Sequence, residues 1–301
     1  MPGQRQRGMD HDIYAFAPLP TRPKLRLPGG ARVAFFIVLH VEYRELTPPA
    51  DAWRDPRFRG EFGDFAPEYR TWSYREYGNR VGIFRVLDML DRFRLPVTAA
   101  VNARAAERYP TLVAALRQRG YEPVAHGLSA AQMITSRMDE AEERAHIEQS
   151  RAILAEAWGT TPRGWLGQDF GVTARTSRLL AELGFDYTLD WPNDERPYWH
   201  NPDRSLVAVP AQPDWDDVQT LWLRRVPLQR FAALVGDALA RLLEEPDGGR
   251  VLGIGIHPWM IGAPHRIRYL GEALQQVTAR PGVLAATAGQ IATWFRENHS
   301  P

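Results

Sequence analysis

Val251-Leu-Gly-Ile-Gly-Ile-His257-Pro-Trp259 is an apolar run of strand length that stops at a titratable side chain and then at a rigid proline. Two other runs end in the same way. Val33-Ala-Phe-Phe-Ile-Val-Leu39 leads into His40-Val-Glu42, and Tyr121-Glu-Pro-Val-Ala125 leads into His126-Gly-Leu-Ser129. Short continuous apolar runs of this kind read as strands buried on both faces of a parallel sheet. In parallel α/β folds the carboxyl ends of the strands form the face where chemistry is done. A core strand has no packing reason to end in histidine three times.

Between these runs, strand and helix patterns alternate. Gly82 to Arg94 places Ile83, Val86, Leu87 and Leu90 on one helical face. Strand Val97–Val101, helix Tyr109–Gln118, strand Pro123–Ala125 and helix Asp139–Trp158 follow. Next come strand Gly164–Leu166, helix Thr173–Leu183, strand Phe185–Leu189, strand Ser205–Val209 and helix Leu228–Glu244. After the strand Val251–Ile256, helix Ile267–Ala279, strand Val283–Ala286 and helix Ala288–Glu297 complete the chain. Connections of a few residues and this alternation imply an α/β barrel, closed or nearly so. Residues 1–30, with Pro18, Pro20, Pro23 and Pro28 blocking helix, read as an extended arm. Residues 31–301 read as one domain. The stretch 47–73 holds Trp53, Phe58, Phe62, Phe65, Tyr69 and Trp72, and reads either as a structured loop over a site or as a surface insertion.

Composition bounds the function. The chain has 301 residues, 44% hydrophobic and 24% charged, an ordinary globular balance. A net charge of +1 argues against nucleic acid or a membrane surface as partner. The absence of cysteine removes disulfides, thiolate chemistry and sulfur ligation of metal. No apolar core of a signal peptide occurs in the first 32 residues, and no stretch is of membrane-spanning length, so a cytoplasmic location is expected.

The strand ends supply a candidate site. His40 and Glu42 point to the same side of the first strand. His126 and His257 join them, with Arg163, Trp165 and Asp169 from the fourth strand and Asp190, Trp191, Asn193 and Asp194 from the fifth. One carboxylate with histidines suits a divalent metal and equally suits acid/base catalysis. Each histidine alone could be a hydrogen-bonded core residue; their shared placement is the stronger signal. Asp190 and Asp194 could instead cap turns, and Arg163 could pair with Glu42 or Asp190. His11, His146, His200, His265 and His299 read as solvated, with His265 the candidate exception because Gly262-Ala-Pro-His-Arg266 follows the His257 motif.

At these residues the chain resembles the polysaccharide deacetylase superfamily, the NodB-homology or carbohydrate esterase fold, and within it the branch holding the metal-independent bacterial allantoinase. The matching segments are Pro28–Ala34 into Leu39-His-Val-Glu42, Glu76-Tyr-Gly-Asn-Arg80, Pro96-Val-Thr98, His126-Gly-Leu-Ser129, Arg163-Gly-Trp-Leu-Gly167, Asp190-Trp-Pro-Asn-Asp194 with Pro197-Tyr198, and Ile256-His-Pro-Trp259 with Gly262. They run in the family's order from about residue 12 to 296. The resemblance implies a distorted (β/α) barrel of about seven parallel strands and a hydrolase of carbon–nitrogen bonds other than peptide bonds. It implies that His40 and Glu42 stand where metal-dependent members carry two aspartates, and that Ala130 replaces a second metal-binding histidine. His257 matches the acid that protonates the leaving group, and Arg163 and Asp190 match residues that orient the catalytic groups. The expected reaction is hydrolysis of a small cyclic ureide, imide or amide. The alternatives are deacetylation of an N-acetylated sugar and a non-catalytic barrel that binds a small ligand. The expected catalytic residues are Glu42, His40, His257 and His126. Substrate would be lined by Arg163, Trp165, Asp190, Trp191, Asn193, Asp194 and Trp259. Either no cofactor is used, or one divalent metal, zinc among the candidates, is held by His40, Glu42 and His126. The proline-rich arm and the aromatic stretch could pair subunits, so a homo-oligomer is expected.

Overall fold

Strand β1 (Val33–Val41) is buried along its whole length because its side chains pack alternately into two core layers, one on each face, while parallel neighbours pair both edges. A computed structural model describes residues 9–53, 67–201 and 203–299. Strand β8 (Arg250–Ile256) runs beside β1 from Val33 to Leu39. On the other edge, β9 (Val283–Ala285) pairs with the first three residues of β1 and β2 (Thr98–Val101) with the last four. The parallel sheet continues through β3 (Glu122–Ala125), β4 (Gly164–Trp165), β5 (Tyr187–Thr188) and β7 (Leu206–Ala208). A short β6 (Tyr198–His200) adds to β7 in the antiparallel sense, giving the order β6-β7-β5-β4-β3-β2-β1-β8.

The sheet curls without a closing ladder among the described residues. A single bridge between Asp216 and Gly255 and a hydrogen bond from Val251 N to Glu195 O (2.8 Å) carry the chain past β7 to the free edge of β8. The distorted α/β barrel expected from the sequence is therefore present, with one correction. The sheet is mixed, because β6 joins through the turn after β5 and can meet β7 only by reversing direction.

Alternation along β1 divides the core. Val33, Phe35, Ile37, Leu39 and Val41 pack outward against helices. Ala34, Phe36 and Val38 pack inward with Ala100, Val124, Leu166, Val207 and Val251 from the other strands. Leu25 and Leu27 of the arm and helix α9 (Ala288–Asn298) close the amino end of this interior. Each fully buried Phe or Ile contributes about 1.5–3 kcal/mol. On β8 the inward positions are Val251, Gly253, Gly255 and His257. A side chain at Gly253 would strike the Phe36 ring, and one at Gly255 would strike the Asp216 carboxylate. The two glycines that punctuate this strand thus make room for an aromatic filler and for an acid next to the site.

Outer helices follow their apolar spacing. Helix α2 (Ile83–Phe93) buries Ile83, Val86, Leu87 and Leu90 and stops at Arg94 in the left-handed region (φ 51°). Helix α5 (Glu140–Trp158) starts with a reciprocal Asp139/Glu142 cap and ends at Gly159 (φ 81°). Sequence periodicity does not reveal helix α1 (Tyr69–Tyr77) or helix α3 (Ala103–Arg108). Helix α1 has no buried residue, so it carries no apolar stripe to read. Phe58, Phe62 and Phe65 of the expected aromatic loop lie outside the described residues. From Ile13 to Leu27 the arm packs on its own chain: Tyr14 meets Trp191, Tyr198 and His200, and Arg22 pairs with Asp194. No helix among the described residues is long and apolar enough to cross a membrane.

A π-helical turn, Gly78–Gly82, leads into α2 and lies flush against the loop that follows β8. A methyl group on Gly82 would meet the Pro258 carbonyl, and one on Gly78 the Trp259 backbone nitrogen at 2.6 Å. Both obstacles are backbone and cannot swing away. Gly82→Ala is therefore expected to destabilise the fold by about 1–3 kcal/mol, as overpacked cores do. Gly271→Ala meets only the flexible Met89 sulfur at 3.0 Å, and a helical alanine gains up to about 1 kcal/mol over glycine. Urea unfolding of both variants checks the contrast, which similar midpoints would contradict.

Candidate active site

The inward alternation that fills the barrel with Phe36 and Val38 continues to His40 and Glu42. The adjacent strands deliver Asn102, His126, Gln168 and His257 to the same carboxyl-end cleft. Its lining includes His40, Glu42, His126, Gln168, Asp169, Asp216 and His257, with Arg44, Arg75, Asn79, Ala130 and Trp259 toward the outside. The outer part of the cleft is open to solvent.

His126 is fixed first. Its Nδ1 lies 2.7 Å from the Leu166 carbonyl, which can only accept, so Nδ1 carries a proton. Its Nε2 then faces His40 Nδ1 at 3.3 Å and Glu42 Oε1 at 3.5 Å. Gln168 Nε2 donates to Glu42 Oε1 (2.8 Å), and Asn79 Nδ2 donates to the Glu42 carbonyl (2.8 Å). Asn102 binds the His126 carbonyl through its amide nitrogen and receives the Tyr43 amide on its oxygen. Burial acts to raise the Glu42 pKa. The hydrogen bond to His126 and the charge of His257 outweigh it and hold Glu42 well below the usual carboxylate range.

His257 has the opposite setting from His40, although the two rings stack with centroids 4.0 Å apart. Asp217 accepts from His257 twice, from the backbone N (2.9 Å) and from Nδ1 (2.7 Å). Asp216 Oδ2 lies 3.7 Å from the same Nδ1. Burial disfavours the imidazolium, but Asp216 and Asp217 outweigh it and push His257 up to about 9. His40 is held well below its ordinary value by burial and then by the positive charge of His257. At neutral pH the stack is one cation on one neutral ring. The His257 Nε2–H is left facing the cleft, 4.0 Å from Glu42 Oε1.

Two further acids line the cleft. Asp169 is raised to about 6 by burial and by Glu42, and Asp216 to about 6 by burial, with Asp217 and Glu42 adding to it. Asp169 and Phe170 both adopt the left-handed region (φ 53° and 58°), which costs energy for residues other than glycine and concentrates at functional sites.

The donors suit a divalent ion. His40 Nδ1, His126 Nε2 and Glu42 Oε1 can all turn lone pairs to one point. Their spacings of 3.3 and 3.5 Å match neighbouring ligands of a tetrahedral zinc with bonds of about 2.1 Å. The Nδ1–H bond of His126 to a carbonyl is the outer contact that orients a ligating imidazole. A second grouping, His40, Asp216 and His257, shares His40.

Of the residues expected here, His40, Glu42, His126, His257 and Trp259 line the cleft. Asp190 lies beneath it, accepting from Gly167 N (2.6 Å) and the Thr188 hydroxyl (2.7 Å), with its pKa raised to about 7 by burial. The structure places the others elsewhere. Arg163 precedes β4, so it emerges at the amino end and pairs with Asp186. Trp165 points outward from β4 and packs on Phe185. After Asp190 the chain turns to the arm: Trp191 meets Tyr14 and His200, Asn193 accepts from the Tyr198 hydroxyl (2.8 Å), and Asp194 binds Arg22. His146 and His200, expected to be solvated, are 5% and 0% exposed. His146 sits on the inner side of α5 and accepts from Leu128 N, and His200 fills the arm's aromatic cluster. Sequence reading missed Asp216 and Asp217, which sit on the irregular connection before β8. Their signal was the paired carboxylates of Trp215-Asp-Asp-Val218.

Residues 76–188 match the family model of polysaccharide deacetylase. A Schizosaccharomyces pombe protein named for polysaccharide deacetylation is 26% identical over 245 residues, 74% of this chain and 75% of its own. The solved structure of Puue allantoinase superposes with a TM-score of 0.81 at 27% identity, covering 92% of this chain and 95% of that one. A Pseudomonas aeruginosa PAO1 protein likewise named for polysaccharide deacetylation gives 0.80 at 27% identity, over 93% and 96%.

Asp217→Asn removes the closest negative charge from His257. The imidazole is then expected to titrate at least one unit below its native value near 9. His257 is a cation below that value and loses its proton as pH rises through it. NMR titration of the ring in the native protein and the variant checks both positions. A native value at or below 6.5 would contradict the assignment.

Proposed function

We infer that this chain, a polysaccharide deacetylase-family hydrolase acting on carbon–nitrogen bonds other than peptide bonds, opens a small cyclic ureide, imide or amide. The observation that carries the reading is the protonated His257, backed by Asp217 and facing ionised Glu42 across a narrow cleft with Trp259 in its wall. A flat ring suits an indole wall.

The two groups have opposite tasks. Water adds its oxygen to the ring carbonyl carbon while Glu42, kept ionised and held by Gln168, takes the proton that water loses. The carbon–nitrogen bond then breaks, and the electron pair leaving with nitrogen is captured by the proton on His257 Nε2. Asp217 holds Nδ1, so the acidic proton is the one aimed into the cleft. Proton transfers of this kind contribute about 10²–10⁴-fold each. Where a divalent ion is present, His40, His126 and Glu42 would hold it, and it would supply Lewis-acid polarisation of the carbonyl.

A panel of allantoin, hydantoins, cyclic imides and N-acetylated sugars tests the reading. Turnover of a ring is expected, with Glu42→Gln and His257→Ala each lowering kcat/KM by about 10²-fold or more. Turnover of the sugars alone would favour sugar N-deacetylation. Tight binding of a ring without turnover would favour a ligand-binding barrel. Metal content measured beside activity in chelator settles the ion. Stoichiometric zinc lost together with activity in His126→Ala would show that it takes part, and full activity in chelator would leave side-chain acid/base catalysis alone.

A further inference from the structure

The cleft is electrically polarised. Its floor gathers Glu42, Asp169 and Asp216 around His257, whereas its outer wall carries Arg44 and Arg75. Arg75 projects from α1 with its guanidinium carbon 3.5 Å from the centroid of the Trp259 ring and 5.7 Å from that of Trp222. Stacking occupies the face of the guanidinium and leaves its donors radiating from the edge. Among the described residues, Arg75 makes no hydrogen bond or ion pair, and its Nε is buried without a partner. A cation without hydrogen bonds is costly to remove from water, and here burial, with the like charge of Arg44, lowers its pKa to about 10. Glu42 and Asp169 favour the charge through space, but no acceptor among the described residues meets its donors. Arginine aliphatic stems are often kept for packing, but a stem alone needs no head group in the wall of a catalytic cleft.

We propose that Arg75 receives a carboxylate borne by the substrate, so that the ring opened here is an acidic cyclic ureide, imide or amide. The proposal rests on the ring-opening reading above and adds the substrate's charge. A carboxylate matches the planar donor edge of an arginine. The field of the cleft also sets the orientation: the acidic floor repels the carboxylate, the outer wall attracts it, and the scissile amide is left between Glu42 and His257. Trp259 serves both parts, as platform for the guanidinium and as wall for the ring.

The test uses two probes of equal shape, a hydantoin bearing an acetic acid side chain and the same ring bearing the acetamide. Binding of each to the full chain is measured by calorimetry for the native protein, Arg75→Gln and Arg75→Lys, with urea midpoints to verify folding. The native protein is expected to bind the acid at least tenfold more tightly than the amide. Arg75→Gln should bring that ratio close to one, and Arg75→Lys should keep part of it. Equal binding of the two probes by the native protein, no binding of the acid, or an unchanged ratio in Arg75→Gln would overturn the proposal. Hydrolysis of the probes is scored separately. A tenfold preference without turnover would support the carboxylate site while counting against ring opening.

Discussion

Asp217 accepts two hydrogen bonds from a single residue, the backbone and side chain of His257, and the rest of the site depends on this grip. The backbone bond fixes where β8 ends, and the side-chain bond fixes which way the imidazole points and which nitrogen keeps the free proton. It is available only because Gly255 lets the Asp216–Asp217 segment lie against β8. The same contact bridges the gap in the barrel, so a closure problem of the fold and a charging problem of the acid are solved by one segment.

From that grip follows a division of labour between groups that would otherwise be alike. His40 and His257 stack ring on ring in one buried site, yet burial and the charge of His257 keep the first neutral while two aspartates keep the second charged. Glu42 stays ionised although buried, because the histidines around it favour the anion. Neighbouring groups pushed to opposite protonation states are what an acid/base pair needs near neutral pH.

Much of this was legible in the sequence, and the misses have physical causes. Long apolar runs such as Val33–Leu39 and Val251–Ile256 announce their strands, and the residues that end them, His40, Glu42 and His257, reach the cleft. Reading fails where strands are two residues long. On β4, Arg163 lies before the strand and Trp165 faces the helices, because a shift of one residue exchanges the faces. Beyond β5, the segment Trp191–Asp194 turns to the arm instead of the cleft, a tertiary choice that no local spacing encodes. Asp216 and Asp217 lie on an irregular connection, where neither helical nor strand periodicity assigns a direction. Arg75 sits on a helix with no buried face, so only its place over Trp259 reveals it.

The central claim is that His257 is the acid for a departing nitrogen and Glu42 the base for the attacking water. A crystal structure with a non-hydrolysable cyclic ureide bound tests it most directly. The account predicts the ring nitrogen of the scissile bond within about 3 Å of His257 Nε2, hydrogen-bond distance, with Glu42 on the opposite side of the carbonyl carbon. A ring seated with its carbonyl oxygen on His257 and its nitrogen turned to solvent would contradict it.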